Sequence, residues 1–372
     1  MKKKYILFSV VAMATVYGCD KNDKTVATPP TPPTPSPIVE VINSGISGKI
    51  VDDLGAPVSG ATVTSGTATA TTDANGAFSI PTAAMRKAGG QITVEKAGFL
   101  TGRRTFAAVA TNMQYVNVRL IAKAAPSTFA AASGTTLTLS NGTTIKVEPG
   151  SVVNAANNTA YTGTVTAYAQ YIDPNDPFFI ENMPGSFLGM TRSGGLTGLH
   201  SSAIFYIELT GSNGEKLQLN KDLPATFTLP IAPADYDQAP ASLRLSRLAD
   251  STGLWNEEGI AVKDMNSYIG KVDHFSYWSF GKHYRFVQIS APVKNSQDKA
   301  APNVFGTFNY TFEGKNYISS SYADTSGLLK LVLPTNTKAD FNIKSLGGAQ
   351  LYNAEVGHFW IDSTFAPIKV TL

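Results

Sequence analysis

The sequence predicts an all-β protein, built as tandem antiparallel β-sandwich domains behind an N-terminal leader and a proline-rich linker. Two observations carry this. Short segments alternate apolar and polar residues, as in Phe78 and Ile80, Leu137 and Leu139, or Ile145 and Val147, which is the period of a half-buried strand. Between them fall turn dipeptides such as Asn75-Gly76 and Asn141-Gly142, where positive φ is accepted and a hairpin can close.

The chain opens with Lys2-Lys3-Lys4, an apolar run from Tyr5 to Tyr17, and then Gly18-Cys19. The run is too short to cross a hydrocarbon layer of about 30 Å as a helix, so it reads as an export signal. Val16-Tyr17-Gly18-Cys19 resembles the lipobox of bacterial lipoproteins, which implies cleavage of residues 1–18 and lipidation of Cys19. Cys19 is the only cysteine in the chain, so it has no disulfide partner within it, and lipidation accounts for the whole thiol inventory.

The sequence carries 30 Lys and Arg against 27 Asp and Glu, for a formal charge of +3. Removal of Lys2, Lys3 and Lys4 leaves 27 basic against 27 acidic residues. A neutral chain without a basic stripe excludes nucleic acid as the expected partner, because phosphate neutralisation supplies most of that affinity.

Residues 19–37 read as a tether. Asp20-Lys21-Asn22-Asp23-Lys24 is followed by Pro29, Pro30, Pro32, Pro33, Pro35 and Pro37, which cannot donate to a hydrogen-bond ladder. The segment is an extended spacer of about 3.1 Å per residue. The charged residues after Cys19 resemble the export signals of Bacteroidetes surface lipoproteins, which implies an outer-membrane, lipid-anchored protein at the cell surface. The membrane is then a partner through the lipid alone.

Residues 38–123 form the first expected sandwich. Ile46 to Asp52, Ala61 to Thr64, Ala68 to Thr72 and Ala77 to Pro81 read as strands, the last stopping at Pro81. The order Gly48-Lys49-Ile50-Val51-Asp52, Gly55-Ala56-Pro57-Val58-Ser59-Gly60-Ala61-Thr62-Val63, Thr72-Asp73-Ala74-Asn75-Gly76-Ala77-Phe78 and Val94 to Phe99 resembles the carboxypeptidase regulatory-like domain. That resemblance implies a transthyretin-like sandwich and an accessory role, since the peptidase chemistry in the name belongs to a separate catalytic domain. A zinc peptidase would carry His-x-x-Glu, whereas His200, His274, His283 and His358 are followed three places on by Ala203, Tyr277, Phe286 and Ile361. No metal and no cofactor are expected.

Residues 124–283 form a middle all-β domain, with further strands expected at Ala203 to Leu209, Ala225 to Leu229, Leu243 to Leu248 and Gly259 to Val262. Thr143 to Ser151 followed by Tyr161 to Ala167 is similar to the opening of ZU5-type β domains. Asp173-Pro174-Asn175-Asp176-Pro177 offers clustered oxygens to calcium. Two prolines favour a rigid loop, and the sixth and twelfth positions of an EF-hand are here Phe178 and Pro184 instead of glycine and glutamate.

His274-Phe275-Ser276-Tyr277-Trp278-Ser279-Phe280 is dense in aromatics. Trp255, His274, Tyr277 and Trp278 are the candidate ligand platform, on which a sugar would stack. The competing reading is a strand buried on both faces. The His-Phe-Ser-x-Trp ending also resembles Bacteroidetes surface proteins of this domain order.

Residues 284–372 form a second transthyretin-like sandwich. Ala323 to Pro334 echoes Thr72 to Pro81, while Val304 to Phe308 and Ala339 to Ile343 are expected in the places of Ile46 to Ile50 and Gln91 to Val94. Pro292 to Pro302 is the expected boundary.

No catalytic residue is expected. Ser296-Gln297-Asp298-Lys299, read as linker, and Ser279-Phe280-Gly281-Lys282, at a strand end, match Ser-x-x-Lys without a Lys-Thr-Gly partner. Glu257 and Glu258 are adjacent and face opposite ways in a strand. The expected function is a non-catalytic binding, adhesion or accessory module, facing an extracellular glycan, a protein or an outer-membrane assembly. The alternative is a divergent hydrolase of extracellular polymer, with a triad in the middle domain built on His200 or His274.

Overall fold

The computed structural model describes residues 41–371 except 87–88, 107, 109, 111–112, 177, 303, 324–325 and 346. The expected export signal, Cys19 and the expected proline-rich tether lie outside the described residues.

The first sandwich contains β1 (Val41–Val51), β2 (Thr62–Ser65), β3 (Ala68–Thr71), β4 (Ala77–Arg86), β5 (Gly90–Glu95), β6 (Gly102–Phe106) and β7 (Met113–Arg119). One sheet runs β4-β1-β7 and the other β3-β2-β5-β6. Alternation along these strands turns Ile46, Ile50, Val63, Phe78, Ile80, Val94 and Val118 inward to one core. Pro81 does not end β4, contrary to the sequence reading. It lies on an edge strand, opposite the register shift between Ser44 and Ile46, where a missing N–H removes no ladder bond.

The middle region contains β8 (Ser127–Ala130), β9 (Thr135–Thr138), β10 (Thr144–Val147), β11 (Val152–Asn154), β12 (Thr164–Ile172), the short helix α1 (Phe179–Asn182), β13 (Leu188–Met190), β14 (Leu196–Thr210), β15 (Lys216–Leu219), β16 (Ala225–Pro230), β17 (Ser242–Leu248), β18 (Trp255–Asp264), β19 (Ser267–Val272) and β20 (Tyr277–Tyr284). These strands are linked in one sheet of order β11-β15-β14-β20-β17-β18-β19-β16-β10-β9, with β12 and β13 branching from β14, and β8 from β12. The sheet surrounds a core centred on Phe205, Phe227 and Phe280, whose ring centroids lie 5.2 to 5.5 Å apart. Strand β14 starts well before the expected Ala203, because Leu196 to Gly198 pair with β13.

The last sandwich contains β21 (Phe286–Asn295), β22 (Phe305–Phe312), β23 (Lys315–Tyr322), β24 (Leu328–Pro334), β25 (Lys338–Lys344), β26 (Gln350–Gly357), β27 (Ser363–Thr364) and β28 (Ile368–Val370). Its sheets repeat the first: β24-β21 with β27 and β28 on the far side of β21, and β23-β22-β25-β26. Both central strands, β1 and β21, are antiparallel to one neighbour and parallel to the C-terminal strands.

This topology corrects two sequence expectations. The counterpart of β1 is β21, so Val304 to Phe308 falls in the place of β2. Pro292 lies inside β21 and is no linker. In the same way Ser296 to Lys299 forms the tight turn that follows β21. Asn295 Oδ1 accepts there from the N–H groups of Gln297 and Lys299 at 3.0 Å, as Asp52 Oδ1 accepts from Leu54 and Ala56.

The two sandwiches share one corner. The Ile50 N–H donates to Gly76 O at 2.8 Å and the Val58 N–H to Ile50 O at 3.0 Å. In the last sandwich Val293 donates to Gly327 O at 2.7 Å and Ala301 to Val293 O at 2.9 Å. Gly76 and Gly327 have φ of 72° and 78°, and a Cβ on either would sit 2.3 or 2.4 Å from the carbonyl oxygen of Ile50 or Val293.

The outer face of the middle sheet carries a second apolar cluster. Leu199, Ile204, Tyr206, Leu248, Trp255 and Tyr277 pack there with Phe179 and Met183, and Leu100 of the first sandwich joins them. Phe187 packs against this cluster and against the core of the last sandwich. Its ring lies 5.8 Å from Phe179 and 5.1 Å from Tyr317, edge-on to both. Polar contacts rim the junction. Gly185 exchanges backbone hydrogen bonds with Arg103 and Thr105 on β6, Arg104 donates to the carbonyls of Glu181 and Met183, and Lys282 pairs with Glu313 at 2.8 Å. Burial lowers the Arg104 pKa to about 10, so the group still carries its charge at neutral pH.

The shared corner makes a matched pair of predictions. Gly76→Ala and Gly327→Ala each force a side chain into left-handed backbone against a carbonyl, and each is expected to destabilise its own sandwich by about 1–3 kcal/mol. Urea unfolding of the two variants measures both, and a neutral result at either position would contradict the shared corner.

Candidate functional site

The candidate platform is dispersed. Trp255, Tyr277 and Trp278 are 0%, 4% and 2% exposed, so none offers a ring face to a ligand. Tyr277 turns to the outer cluster and Trp278 to the middle core, the arrangement of a strand buried on both faces. Each polar tip is satisfied internally, with Trp255 Nε1 donating to Ser186 O at 2.9 Å and the Tyr277 hydroxyl to Thr101 O at 2.9 Å. Burial pushes the Tyr277 hydroxyl above its ordinary pKa. The platform of these four residues is therefore corrected in favour of the strand buried on both faces, because alternation sends Trp278 into one core and Tyr277, with Trp255, into another.

The His-Phe-Ser-x-Trp segment instead closes the entry to β20. Trp278 Nε1 donates to His274 O at 3.1 Å, and the His274 ring lies 5.1 Å from the indole. Gln218 grips the next residue twice, accepting from the Phe275 N–H at 2.5 Å and donating to Phe275 O at 2.9 Å.

His200 is buried on β14 with Nδ1 2.6 Å from the Tyr317 hydroxyl, and Nε2 lies 4.0 Å from Glu313. It belongs to the contact between the middle sheet and the last sandwich. The Asp173 carboxylate accepts from the Asn175 N–H and the Tyr171 hydroxyl, and Asp176 from the Phe178 N–H. Both carboxylates thus shape the turn that leads into α1.

Two side-chain clusters that the sequence reading did not assemble lie on β17, β18, β20 and the turn between β19 and β20. A register shift between Leu245 and Ser246 leaves Glu258 unpaired in the β17–β18 ladder, a β-bulge that re-aims neighbouring side chains. Glu257 and Glu258 consequently serve different clusters.

In the first, His283 Nε2 lies 3.0 Å from Ser246 Oγ and Nδ1 lies 3.5 Å from Glu257 Oε2. The order serine, histidine, carboxylate is that of a hydrolase triad. Ser246, however, is 0% exposed on a strand flanked by β18 and β20, beside the hydrogen-bonded pair Ser201 and Ser279. Glu257 also pairs with Arg244. A scissile carbonyl has no approach to Ser246 Oγ, and the arrangement serves as a buried polar network.

In the second, His274 Nδ1 lies 2.7 Å from Asp273 Oδ1, Nε2 lies 3.7 Å from Glu258 Oε2, and Glu258 Oε1 accepts from Arg247 Nε at 2.7 Å. Ligand atoms of Glu258, Asp273 and His274 lie within 4.8 Å of one another. The sequence signal was faint, with Asp273 and His274 adjacent and Glu258 one hairpin earlier.

The last sandwich adds an open cleft. Pairing of β22 with β25 ends at Asn309 and Asp340. Beyond that point lies a cavity of about 530 Å³, lined by Asn309, Thr311, Asn316, Lys338, Asp340 and Glu355 among others.

Residues 45–121 match the carboxypeptidase regulatory-like domain family, in agreement with the resemblance of the first sandwich. No curated protein matches the chain. Among solved structures, the chain is similar to the Bacillus anthracis TIE protein, at 12% identity over 89% of this chain and 50% of that one, with a TM-score of 0.18. This chain therefore spans about half the length of that protein. The major pilin subunit BcpA of Bacillus cereus matches at 10% identity over 88% of this chain and 99% of that one, with a TM-score of 0.17. A DUF3823 family protein of Parabacteroides merdae matches at 8% identity over 86% and 98%, with a TM-score of 0.17.

Burial lowers the pKa of His283, against the opposing pull of Glu257. The unfolded chain then binds a proton at His283 before the folded one does, so stability is retained above about pH 6.5 and falls as pH drops below it. His283→Gln is expected to flatten the pH dependence of the unfolding free energy between about pH 7 and 5, by at most about 1.4 kcal/mol per pH unit. Denaturant titrations across that range read the slope, and an unchanged slope in the variant would contradict the assignment.

Proposed function

We propose that the chain is a lipid-anchored protein of the bacterial outer membrane, displayed at the cell surface, whose sandwiches form a non-catalytic recognition or accessory module. Its partner is an extracellular glycan, a protein or an outer-membrane assembly. The observation that carries this reading is a contrast of exposure. Ser246 and Glu257 of the serine–histidine–carboxylate arrangement are buried in the middle sheet, whereas a cleft of about 530 Å³ opens where the β22–β25 pairing ends. Its volume is that of a small-ligand site, and its amides, carboxylates and hydroxyl match the hydrogen-bonding demands of a polyhydroxylated or peptide ligand. The family matched by residues 45–121 supports an accessory role.

Anchoring rests on Cys19. Two or three acyl chains hold a protein on a membrane far more firmly than one, and the proline-rich segment then spaces the sandwiches from the bilayer. The second reading is a divergent hydrolase of extracellular polymer with its site in the middle region.

Two experiments test the proposal. Cys19→Ala is expected to abolish metabolic labelling with palmitate and to release the chain from the membrane fraction; a variant still acylated and membrane-bound would overturn the anchor. On glycan arrays and in pull-downs, binding without turnover is expected, weakened about tenfold or more by Asp340→Ala with Glu355→Ala, as loss of charge-assisted hydrogen bonds implies. Turnover abolished by His200→Ala or His274→Ala would instead establish the hydrolase.

A further inference from the structure

We propose that His274 Nε2 and Glu258 Oε2 bind a divalent transition-metal ion of the zinc class, with Asp273 supporting the site from the outer coordination shell. Three features of the cluster lead there.

Asp273 Oδ1 lies 2.7 Å from His274 Nδ1, placed to take the Nδ1 proton in the tautomer that turns the Nε2 lone pair toward Glu258. A carboxylate fixing the far nitrogen of a metal-binding imidazole is a recurrent outer-shell device, and it raises the basicity of the ligand. The ring is fixed a second way by its packing on Trp278.

His274 Nε2 is buried and has no hydrogen-bond partner. It faces Glu258 Oε2 at 3.7 Å, beyond hydrogen-bond range. Buried polar atoms left without a partner are costly. A metal ion between Nε2 and Glu258 Oε2 supplies that partner.

The spacing suits a metal. With metal–nitrogen distances of about 2.0–2.1 Å and metal–oxygen distances of about 2.0–2.2 Å, a span of 3.7 Å is bridged at a slightly opened tetrahedral angle. Imidazole selects zinc, nickel or copper over calcium and magnesium. Water fills the remaining positions on the open side, where Asp273 is 48% exposed. The Arg247 guanidinium on Glu258 Oε1 fixes the carboxylate and leaves one net negative charge among Glu258, Asp273 and Arg247 for the ion to neutralise. Such an ion ties the bulge of β18 to the turn between β19 and β20, so its role is to brace the segment that enters β20.

Isothermal titration of the untagged full chain with Zn2+, together with Co2+ absorption spectroscopy, tests the site. One ion per chain is expected, with d–d bands of a mixed nitrogen and oxygen set. His274→Ala and Glu258→Gln should each weaken binding by about 100-fold or more, and Asp273→Asn by about 10–100-fold. Glu258→Gln keeps an acceptor for Arg247 and should melt as the wild type does without metal, which separates loss of the ion from loss of the fold. Absence of stoichiometric binding, binding that survives both ligand variants, or an NMR signal showing Nε2 protonated with Zn2+ present would overturn the proposal.

Discussion

The outer face of β14, β17 and β20 presents Ile204, Tyr206, Leu248 and Tyr277, apolar surface that a free-standing middle sheet would leave in water. Each such side chain is worth about 1.5–3 kcal/mol when fully buried, and together they make a naked face untenable. The segment from Phe179 to Phe187 covers it, with Leu100 closing one side. Phe187 lies in two clusters at once, so the middle sheet and the last sandwich share a wall. The polar rim follows from this contact: Arg104, half-buried and charged, satisfies the carbonyls that the covering segment exposes.

That junction also explains why conspicuous sequence features yield no ligand site. Trp255, Tyr277 and Trp278 are the rings that the middle sheet needs on its two faces, and their polar tips are matched inside the protein. His200 is committed to Tyr317 across the contact with the last sandwich. The proposed ligand and metal sites lie at the margins: the cleft beyond the β22–β25 pairing, and the His274 cluster where a bulge turns Glu258 away from Glu257.

Local signals in the sequence were sufficient for much of the fold. Asn75-Gly76 and Asn141-Gly142 mark turns with Gly76 and Gly142 at positive φ, and the alternation around Phe78 and Ile80 places both in a core. The echo of Thr72 to Pro81 in Ala323 to Pro334 correctly pairs β4 with β24. What failed depends on distant partners. The end of β21 from Pro292 looked like linker because Pro292 and the polar Ser296 to Lys299 flank Val293, yet its parallel pairing with β28 involves Ile368 and Val370. The bulge at Glu258 has no composition signal, so neither histidine cluster was legible, and the contacts of Phe187 form only once three sheets have met.

Coupling of the sandwiches through this junction is tested most directly by differential scanning calorimetry of the chain and of Phe187→Ala. A single cooperative transition is expected for the parent, and the variant should melt lower and resolve the last sandwich as a separate transition. A parent that unfolds in independent transitions, at temperatures that Phe187→Ala leaves unchanged, would contradict it.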